Sequence, residues 1–333
     1  MPVVDWREVD QGRMASLFDR EAARWRERLD WDYAPTRRMA DGARSAGSLP
    51  GFVALDDRSG NVTGWTFFLV HRGALQIGAL VALRADVVRL LLDRVLDSPE
   101  ASLAQRYQVF GFPVSGSLEV ALLRRRFVVE PYHYLASGLS GLMAAGEAPL
   151  DAATAVSTDD LPRAARLLAR AYAGTASARV FAPGGRLDEW AGYLGQLRHT
   201  EACGRWMPEA CLAVRHPHDD RLTALVVTTR IAERTAHIAQ IVVDPLERAR
   251  GLGRALVRAA AGAAARAGTT RLSLLVASHN AAARSLYARL GFAEHATFLF
   301  ADRPRLARGT GLPPLASEAT SPAPTTVTDA AQA

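Results

Sequence analysis

Two glycines and three arginines cluster where an apolar run meets an alanine-rich helix. The apolar run Ile241–Val243 ends at Asp244-Pro245, and the segment Arg248–Arg254 (RARGLGR) follows soon after. Glycines at alternate positions let the backbone approach a ligand closely and direct several N–H groups at it. The N-terminus of the following helix adds partial positive charge, and the arginines add full charges. The segment therefore predicts a site for a diphosphate or a similar anion.

The spacing of this segment excludes two common phosphate loops. A Walker loop needs Gly-Lys followed by Ser or Thr, and this chain contains no lysine. The dinucleotide pattern GxGxxG needs a glycine where Leu256 stands. The pattern that does fit is V-x-P-x-x-R-x-x-G-x-G, which starts at Val243. It resembles, position by position, the acetyl-CoA-binding motif of the GNAT superfamily of N-acetyltransferases.

A second signature lies downstream of the first. Residues 280–292 match N-x-x-A-x-x-L-Y-x-x-x-G-F, which is similar to the second signature of the same family. Two signatures in this order, with one strand between them, make the match specific. The resemblance covers residues 151–306. It implies an α+β fold around a mixed sheet, of the GNAT acyl-CoA N-acyltransferase type.

The resemblance implies acetyl-CoA as the co-substrate and no metal. The backbone N–H groups of residues 250–255 are expected to hold the CoA pyrophosphate, and the end of the preceding strand is expected to pair with the pantetheine arm. The N–H of Val243 is then expected near the thioester carbonyl, where a fixed donor stabilises the oxyanion formed when an amine attacks. The resemblance assigns cofactor binding to Val242, Val243, Arg248, Ala249, Arg250, Gly251, Leu252, Gly253, Arg254, Ala255, Asn280 and Ala283.

Two residues are candidates for proton transfer. The resemblance implies that Tyr287 protonates the leaving thiolate as general acid; the alternative is a core aromatic at helical spacing. The base is expected at His237, where histone-acetylating relatives carry a glutamate eleven positions before the first motif arginine. A histidine titrates near neutral pH, although a strand histidine can also be purely structural. Gln240 can orient a substrate without accepting a proton, and Asp188 and Glu189 stay open as other bases.

The elements that must position these residues fall into two blocks, 1–140 and 151–306. A linker is expected at 141–150, and a Pro-, Ala- and Thr-rich tail at 307–333 is expected to be disordered. In the second block the hydrophobic pattern predicts strands at 151–157, 210–215, 222–231, 235–243, 272–276 and 296–300, and helices starting at 161 and spanning 187–199, 253–267 and 280–290.

The first block repeats this order in weaker form, which predicts a tandem GNAT fold of two mixed-sheet domains. The pattern predicts strands at 52–55, 63–70, 75–83 and 107–110, and helices at 87–96 and 117–125. Segment 122–127 parallels segment 287–292, although a shared architecture without duplication stays the alternative. Residues 84–89 contain no glycine. The first block is therefore expected to shape the acceptor cleft without binding CoA, a layout similar to that of mycothiol synthase.

An aromatic and aliphatic stripe precedes the first predicted strand. Its spacing favours one or two amphipathic helices that pack on the core, rather than a cofactor or peptide groove. The stripe consists of Trp6, Leu17, Phe18, Trp25, Leu29 and Trp31.

Composition excludes several other classes of protein. The 333 residues include 40 basic residues, all arginine, against 34 acidic residues, and the net charge of +6 is spread along the chain. A nucleic-acid partner is therefore not expected, because a binder concentrates its charge. No apolar run or leader suits a membrane or secretion. Cys203 and Cys211 lack a CxxC pattern, which favours the cytoplasm, and His216 and His218 lack a third metal ligand.

The resemblance implies an acyltransferase that moves an acetyl or other short acyl group from acetyl-CoA to a primary amine. Direct attack is expected, because neither cysteine lies in the motif register. The acceptor stays open among a small metabolite, an antibiotic, a peptide N-terminus and a protein lysine, and the oligomeric state stays open too. The alternative is a non-catalytic, regulatory acyl-CoA-binding protein that keeps the phosphate site without an effective base.

Overall fold

The computed structural model describes residues 1–143 and 152–305, so most of the predicted linker and all of the predicted tail lie outside it. The strands are β1 (Val3–Asp5), β2 (Gly51–Leu55), β3 (Val62–His71), β4 (Ala74–Ala82), β5 (Arg106–Gly111), β6 (Val128–Gly138), β7 (Ala153–Ala155), β8 (Arg205–Trp206), β9 (Leu212–Arg215), β10 (Leu222–Ala232), β11 (Thr235–Val243), β12 (Arg271–Ala277) and β13 (Ala293–Pro304). The helices are α1 (Gln11–Leu29), α2 (Ala34–Ser45), α3 (Ala85–Leu96), α4 (Ser117–Arg124), α5 (Leu139–Met143), α6 (Leu161–Tyr172), α7 (Ala178–Phe181), α8 (Leu187–His199), α9 (Leu252–Arg266) and α10 (Ala281–Arg289). No helix in these ranges is both long and apolar enough to cross a membrane.

The strands form one mixed sheet, which confirms the α+β class. Its order is β1-β2-β3-β4-β5-β13-β6-β12-β11-β10-β9-β7, with β8 paired to β10 at one side. Two pairs are parallel, β4 with β5 and β11 with β12, and the other pairs are antiparallel. The same arrangement, a parallel pair flanked by antiparallel hairpins, therefore occurs once in the first half of the chain (residues 1–143) and once in the second half (residues 152–305).

The two halves exchange their last strands. Strand β6 of the first half pairs with β12 of the second, and β13 of the second half pairs with β5 of the first. Strands β6 and β13 also pair with each other, so the sheet runs without a break from one half to the other. Strand β13 is longer than the predicted 296–300, because β6 pairs with its residues 293–302 and β5 with its residues 299–304.

Local signals explain the helices that position the site. Helix α9 begins after Gly251 and is followed by Gly268, both in the left-handed region that favours glycine. Its alanine-rich face is buried against the sheet. Helix α8 spans the predicted 187–199, with Glu189 bonded back to the Arg186 N–H at its start.

The N-terminal stripe is buried, but helices carry only part of it. Trp6 lies in a 3-10 turn, and Trp31 follows the end of α1, where Asp30 takes a left-handed conformation. Both tryptophans are buried, so the prediction of core packing is correct for them. The expectation that both lie on helices is wrong, because the chain turns sharply at each of these points.

Candidate active site

The second half contains a slot between β11 and β12. The parallel register of these strands starts at Thr235 and Arg271 and ends at Ile238 and Leu274. The next residue, Ala239, forms a bulge against β10, where the register with that strand shifts. A bulge bends its strand, so β11 leaves β12 at this point and opens the sheet.

The direction of the backbone donors in β11 decides what the slot can bind. The Asp244 N–H donates to the Thr223 carbonyl of β10 at 2.7 Å. Because N–H groups alternate in direction along a strand, Val242 also faces β10, whereas Ile241 and Val243 direct their N–H groups into the slot. The Val242 side chain is buried in the core. Of the two predicted valines, Val243 alone therefore presents a donor to the slot, because the Ile241 N–H already donates to the Gln240 side-chain oxygen at 3.2 Å.

The start of α9 forms a cradle at the end of the slot. Ala249 and Gly251 have φ values of 63° and 80°, which turn the chain sharply before the helix. Within the part of the chain that the structure describes, the N–H groups of Gly251, Leu252 and Gly253 meet no acceptor, and no side chain caps the helix. Converging donors at a helix N-terminus suit a pyrophosphate. The Ala255 N–H bonds to the Gly251 carbonyl, so it is already used inside the helix.

Two of the cradle arginines already have protein partners. Arg248 donates to the Ala171 carbonyl at 3.1 Å, which ties the loop to the end of α6. Arg250 pairs with Glu247 at 2.7 Å on the surface. Their charges are therefore held around the turn by the protein itself rather than directed freely into solvent.

Asp244 anchors the cradle, and sequence reasoning missed it. One oxygen caps the turn by accepting the Leu246 N–H at 3.1 Å, and the other accepts Arg170 at 2.8 Å and Arg221 at 3.4 Å. Burial raises the pKa of this carboxyl, but the bonds to Arg170 and Leu246 and the two positive charges outweigh burial, so the pKa lies below its usual range. An aspartate between a buried strand and a proline is the signal that could have indicated it.

A cavity of about 570 Å³ extends from the slot into the first half of the chain. Tyr287, Asn280 and Ala283 of the second signature all line it. The Tyr287 ring is buried, and desolvation raises its pKa well above the ordinary value, so the hydroxyl stays protonated at neutral pH. Its hydroxyl makes no hydrogen bond within residues 1–143 and 152–305 and is available to a ligand. The side-chain oxygen of Asn280 (Oδ1) caps α10 by accepting the Ala283 N–H at 3.2 Å. The side-chain NH₂ of Asn280 is left as the donor for a ligand.

Comparison with known proteins gives a family match for part of the second half. Residues 179–292 match the profile of the acetyltransferase (GNAT) family. The chain carries a GNAT domain. No curated protein matches the chain significantly.

Solved structures show the same fold. The chain is similar to a GCN5-related N-acetyltransferase from Sphaerobacter thermophilus, with 18% identity over 76% of this chain and 80% of the other and a TM-score of 0.56. It is also similar to a tandem GNAT protein from the clavulanic acid biosynthesis pathway, with 13% identity, 77% and 82% coverage and a TM-score of 0.55. A GCN5-related glucosamine N-acetyltransferase region of a fungal multi-domain GH3 β-N-acetylglucosaminidase gives 16% identity, 91% and 38% coverage and a TM-score of 0.60. At these identities the likeness shows a tandem GNAT fold and leaves the substrate open.

The predicted base of the GNAT site lies in a dry environment. The Nδ1 atom of His237 is 3.0 Å from the Ser273 hydroxyl, and its ring packs 5.0 Å from Trp31 and 6.1 Å from Tyr134. Burial lowers the pKa of His237 to about 3. The imidazole is therefore neutral at physiological pH and holds a proton only weakly.

The other predicted bases are held by the protein. The Glu189 carboxylate accepts the Gly184 and Arg186 N–H groups at 2.9 and 3.1 Å. Asp188 pairs with the Arg186 side chain at 2.8 Å near the surface. Asp188 is therefore engaged near the surface, whereas Glu189 lines the cavity with one of its two oxygens held by these backbone donors.

Gln240 presents one fixed donor to the cavity. Its side-chain oxygen accepts the Tyr172 hydroxyl at 2.9 Å and the Ile241 N–H at 3.2 Å. The opposite orientation of the amide would place its NH₂ against the Ile241 N–H, two donors together, so the bond fixes the orientation. The Nε2 atom is buried and has no partner in the part of the chain that the structure describes. It is available to an oxygen atom of a ligand.

The first half keeps the GNAT slot but not the cradle. The register of β4 and β5 ends at Ile77 and Val109, and Gly78 forms the matching bulge against β3. The Phe67 ring packs directly over Gly78, so a Cβ added to this glycine would lie only 2.2 Å from the ring. Two residues, Leu83 and Arg84, connect β4 to α3, and Arg84 pairs with Asp86. This connection has no room for the glycine turn that forms the cradle in the second half.

Proposed function

We propose that the chain is an N-acetyltransferase that moves an acetyl group from acetyl-CoA to a primary amine by direct attack, with one working site in the second half. The observation that carries the proposal is the alignment of three features along one slot. These are the open N–H groups of Gly251–Gly253, the inward N–H group of Val243, and the protonated Tyr287. Diphosphate, thioester oxygen and leaving sulfur need these groups in this order.

The residues of this chain divide the work as follows. Acetyl-CoA, when bound, supplies the activated acyl group. The cradle N–H groups hold the pyrophosphate at the helix N-terminus. The N–H group of Val243 lies along the arm and stabilises negative charge that develops on the thioester oxygen. Tyr287 gives its proton to the leaving sulfur, a step for which a hydroxyl that stays protonated at neutral pH is suited. The proton that the attacking nitrogen loses restores the Tyr287 hydroxyl, so a neutral amine and the thioester give the amide and the free CoA thiol.

The amine loses its proton without a dedicated base in this proposal. His237 is too weak a base at a pKa of about 3. One oxygen of the Glu189 carboxylate accepts two backbone N–H groups, which stabilises the charged form against taking up a proton. An apolar cavity disfavours an ammonium ion relative to the neutral amine, because desolvation penalises the charged form. The neutral amine is therefore the form that binds, and kcat/KM rises with pH towards the pKa of the amine itself.

The weak base also supports a second candidate, a GNAT-fold protein that binds acyl-CoA without turning it over. Such a protein needs the cradle and the slot but no proton acceptor. The two candidates agree on CoA binding and differ in the release of free CoA thiol on addition of an amine. Thiol release is therefore the measurement that separates them.

The cradle is tested by Gly251→Asp. We expect calorimetry to show one acetyl-CoA site per chain in the unaltered protein and at least about 100-fold weaker binding in the variant, because the new carboxylate meets the pyrophosphate. Gly268→Asp is the matched control. Gly268 lies just past the other end of α9, and its φ of 87° is close to the 80° of Gly251. A Cβ added at either glycine would have no neighbouring atom within 4 Å.

The control separates strain from loss of the site. Both variants place a side chain in the left-handed region at a similar conformational cost. Equal affinity in Gly251→Asp and the unaltered protein would contradict the cradle assignment. Two acetyl-CoA sites per chain would contradict the proposal that the first half does not bind CoA.

A further inference from the structure

Six aromatic rings line the part of the cavity next to the slot, and we call them the aromatic lobe: Trp25, Trp31, Phe110, Phe112, Tyr132 and Phe298. Resting on the proposed function, we infer that the lobe is the acceptor site, and that the acceptor is a primary amine on an aromatic body with a neutral carbonyl beside the amine. An aromatic amino-acid amide has this chemistry, as does a peptide with an aromatic N-terminal residue.

The position of the lobe connects it to the slot. The Trp31 ring lies 5.0 Å from His237, which precedes the bulge of β11 by two residues. The Trp31 ring also packs edge-on against Trp25 at 5.4 Å, and Trp25 contacts Phe112 and Phe298 at 5.9 and 5.8 Å. The rings therefore form a continuous lining that begins beside the thioester end of the slot and runs towards the first half.

The exchanged strands build this lining. Phe298 lies on β13 of the second half, and it stacks on Phe110 and Phe112 of the first half at 5.9 and 5.2 Å. Tyr132 lies on β6 and packs edge-on against Phe110 at 5.6 Å. Neither half of the chain could form the lobe alone. The first half therefore contributes to acceptor recognition while it lacks a CoA cradle.

The charges around the lobe are compensated. The Glu21 carboxylate lines the cavity, but it pairs with Arg24 and accepts the Trp25 indole N–H at 2.7 Å. The Arg24 guanidinium lies 4.0 Å above the Phe112 ring and also donates to the Phe112 carbonyl. Arg72 also lines the cavity, and it pairs with Asp188 at 3.4 Å. Burying an unpaired charge is costly, so a carboxylate on the acceptor meets no unpaired cation among these residues. The lobe favours a neutral amide over a free amino acid.

One polar group meets the acceptor at the boundary between lobe and slot. The buried Nε2 atom of Gln240 has no partner in the described residues, and its orientation is fixed by the Ile241 N–H and the Tyr172 hydroxyl. A buried donor without a partner is costly, and a ligand oxygen relieves that cost. A carbonyl beside the attacking amine places such an oxygen at the reacting end of the acceptor.

The test compares matched amines at saturating acetyl-CoA, with thiol release as the signal. We expect kcat/KM for phenylalaninamide to exceed that for glycinamide by about 10- to 100-fold, the range that burial of one aromatic side chain supplies. Phenylalanine, with its carboxylate, is expected to react at least tenfold more slowly than phenylalaninamide. Equal kcat/KM values for phenylalaninamide and glycinamide, or for phenylalanine and its amide, would overturn the inference.

Phe112→Ala tests the lobe itself, because Phe112 is half-buried and its loss is compatible with folding. We expect the ratio of phenylalaninamide to glycinamide to fall at least fivefold. Leu103→Ala, at a residue that is exposed and does not line the cavity, is expected to keep the ratio. An unchanged ratio in Phe112→Ala would overturn the assignment of the lobe.

Calorimetry keeps this inference separate from the proposed function. Phenylalaninamide is titrated into the protein saturated with CoA, and phenylalanine and glycinamide serve as comparison ligands. Tighter binding of phenylalaninamide without thiol release would support the lobe and contradict the transferase. Thiol release with no preference among the three amines would support the transferase and overturn the lobe.

Discussion

His237→Gln removes a buried imidazole and has a predictable effect on the pH dependence of stability. Burial lowers the pKa of His237 from 6.5 to about 3. Because the pKa is lower in the folded chain, the unfolded chain binds the proton more tightly, and folding loses stability as pH falls from 6.5 towards 3. Each pH unit in that interval removes about 1.4 kcal/mol from the free energy of unfolding. His237 therefore lowers this free energy by about 2 kcal/mol at pH 5 and by almost nothing at pH 7.

The first half of the chain suggests glutamine as the replacement. Gln76 occupies on β4 the place of His237 on β11, and it faces Gln108 across the parallel pair as His237 faces Ser273. An amide can keep the hydrogen bond to Ser273, and it does not titrate. The substitution therefore removes the ionisation while it changes the packing little.

Urea unfolding at pH 7 and pH 5 provides the measurement. We expect the free energy of unfolding of the unaltered protein to fall by about 2 kcal/mol more between the two pH values than that of His237→Gln. His218→Gln, at an exposed histidine, is the control and is expected to follow the unaltered protein. The same fall in His237→Gln and the unaltered protein would refute the reasoning, since His237 would then titrate normally in the fold and regain its candidacy as base.

Two further substitutions test the slot and its anchor. Tyr287→Phe is expected to lower kcat about 100-fold, because the leaving sulfur loses its proton donor. The Kd for acetyl-CoA is expected to stay within about twofold. Equal rates of thiol release by both proteins would show that Tyr287 is not the acid. Asp244→Ala is expected to lower the free energy of unfolding by about 2 kcal/mol, since Arg170, Arg221 and the Leu246 N–H lose their buried acceptor. The same variant is expected to bind acetyl-CoA more weakly. An unchanged midpoint of urea unfolding would show that the cradle is anchored elsewhere.

Features that depend on short stretches of sequence could be predicted. Strand β11 and helix α8 have the predicted bounds, because their patterns are continuous and flanked by turn or capping residues. The turn at Gly251 could be predicted too, since a left-handed conformation at a helix start favours a glycine. The cradle is a local structure, and its residues are neighbours in the chain.

Features that depend on distant residues could not be predicted. The pairing of β13 with β5 brings Phe300 opposite Phe110, and either strand alone would fit any antiparallel neighbour. The low pKa of His237 depends on Trp31, about 200 residues earlier in the chain, which no spacing rule connects to β11. The role of Gln240 follows from Tyr172 at the end of α6, whose position only the folded chain defines.

The central claim is that one slot in the second half both binds acetyl-CoA and passes its acetyl group to an amine. The most direct test measures free CoA thiol after a panel of primary amines is added at saturating acetyl-CoA, with Gly251→Asp as the blank. We expect thiol release that depends on the amine, matches the acetylated product mole for mole and is lost in the variant. Tight acetyl-CoA binding with no thiol release for any amine would contradict it and leave a GNAT-fold protein that only binds acyl-CoA.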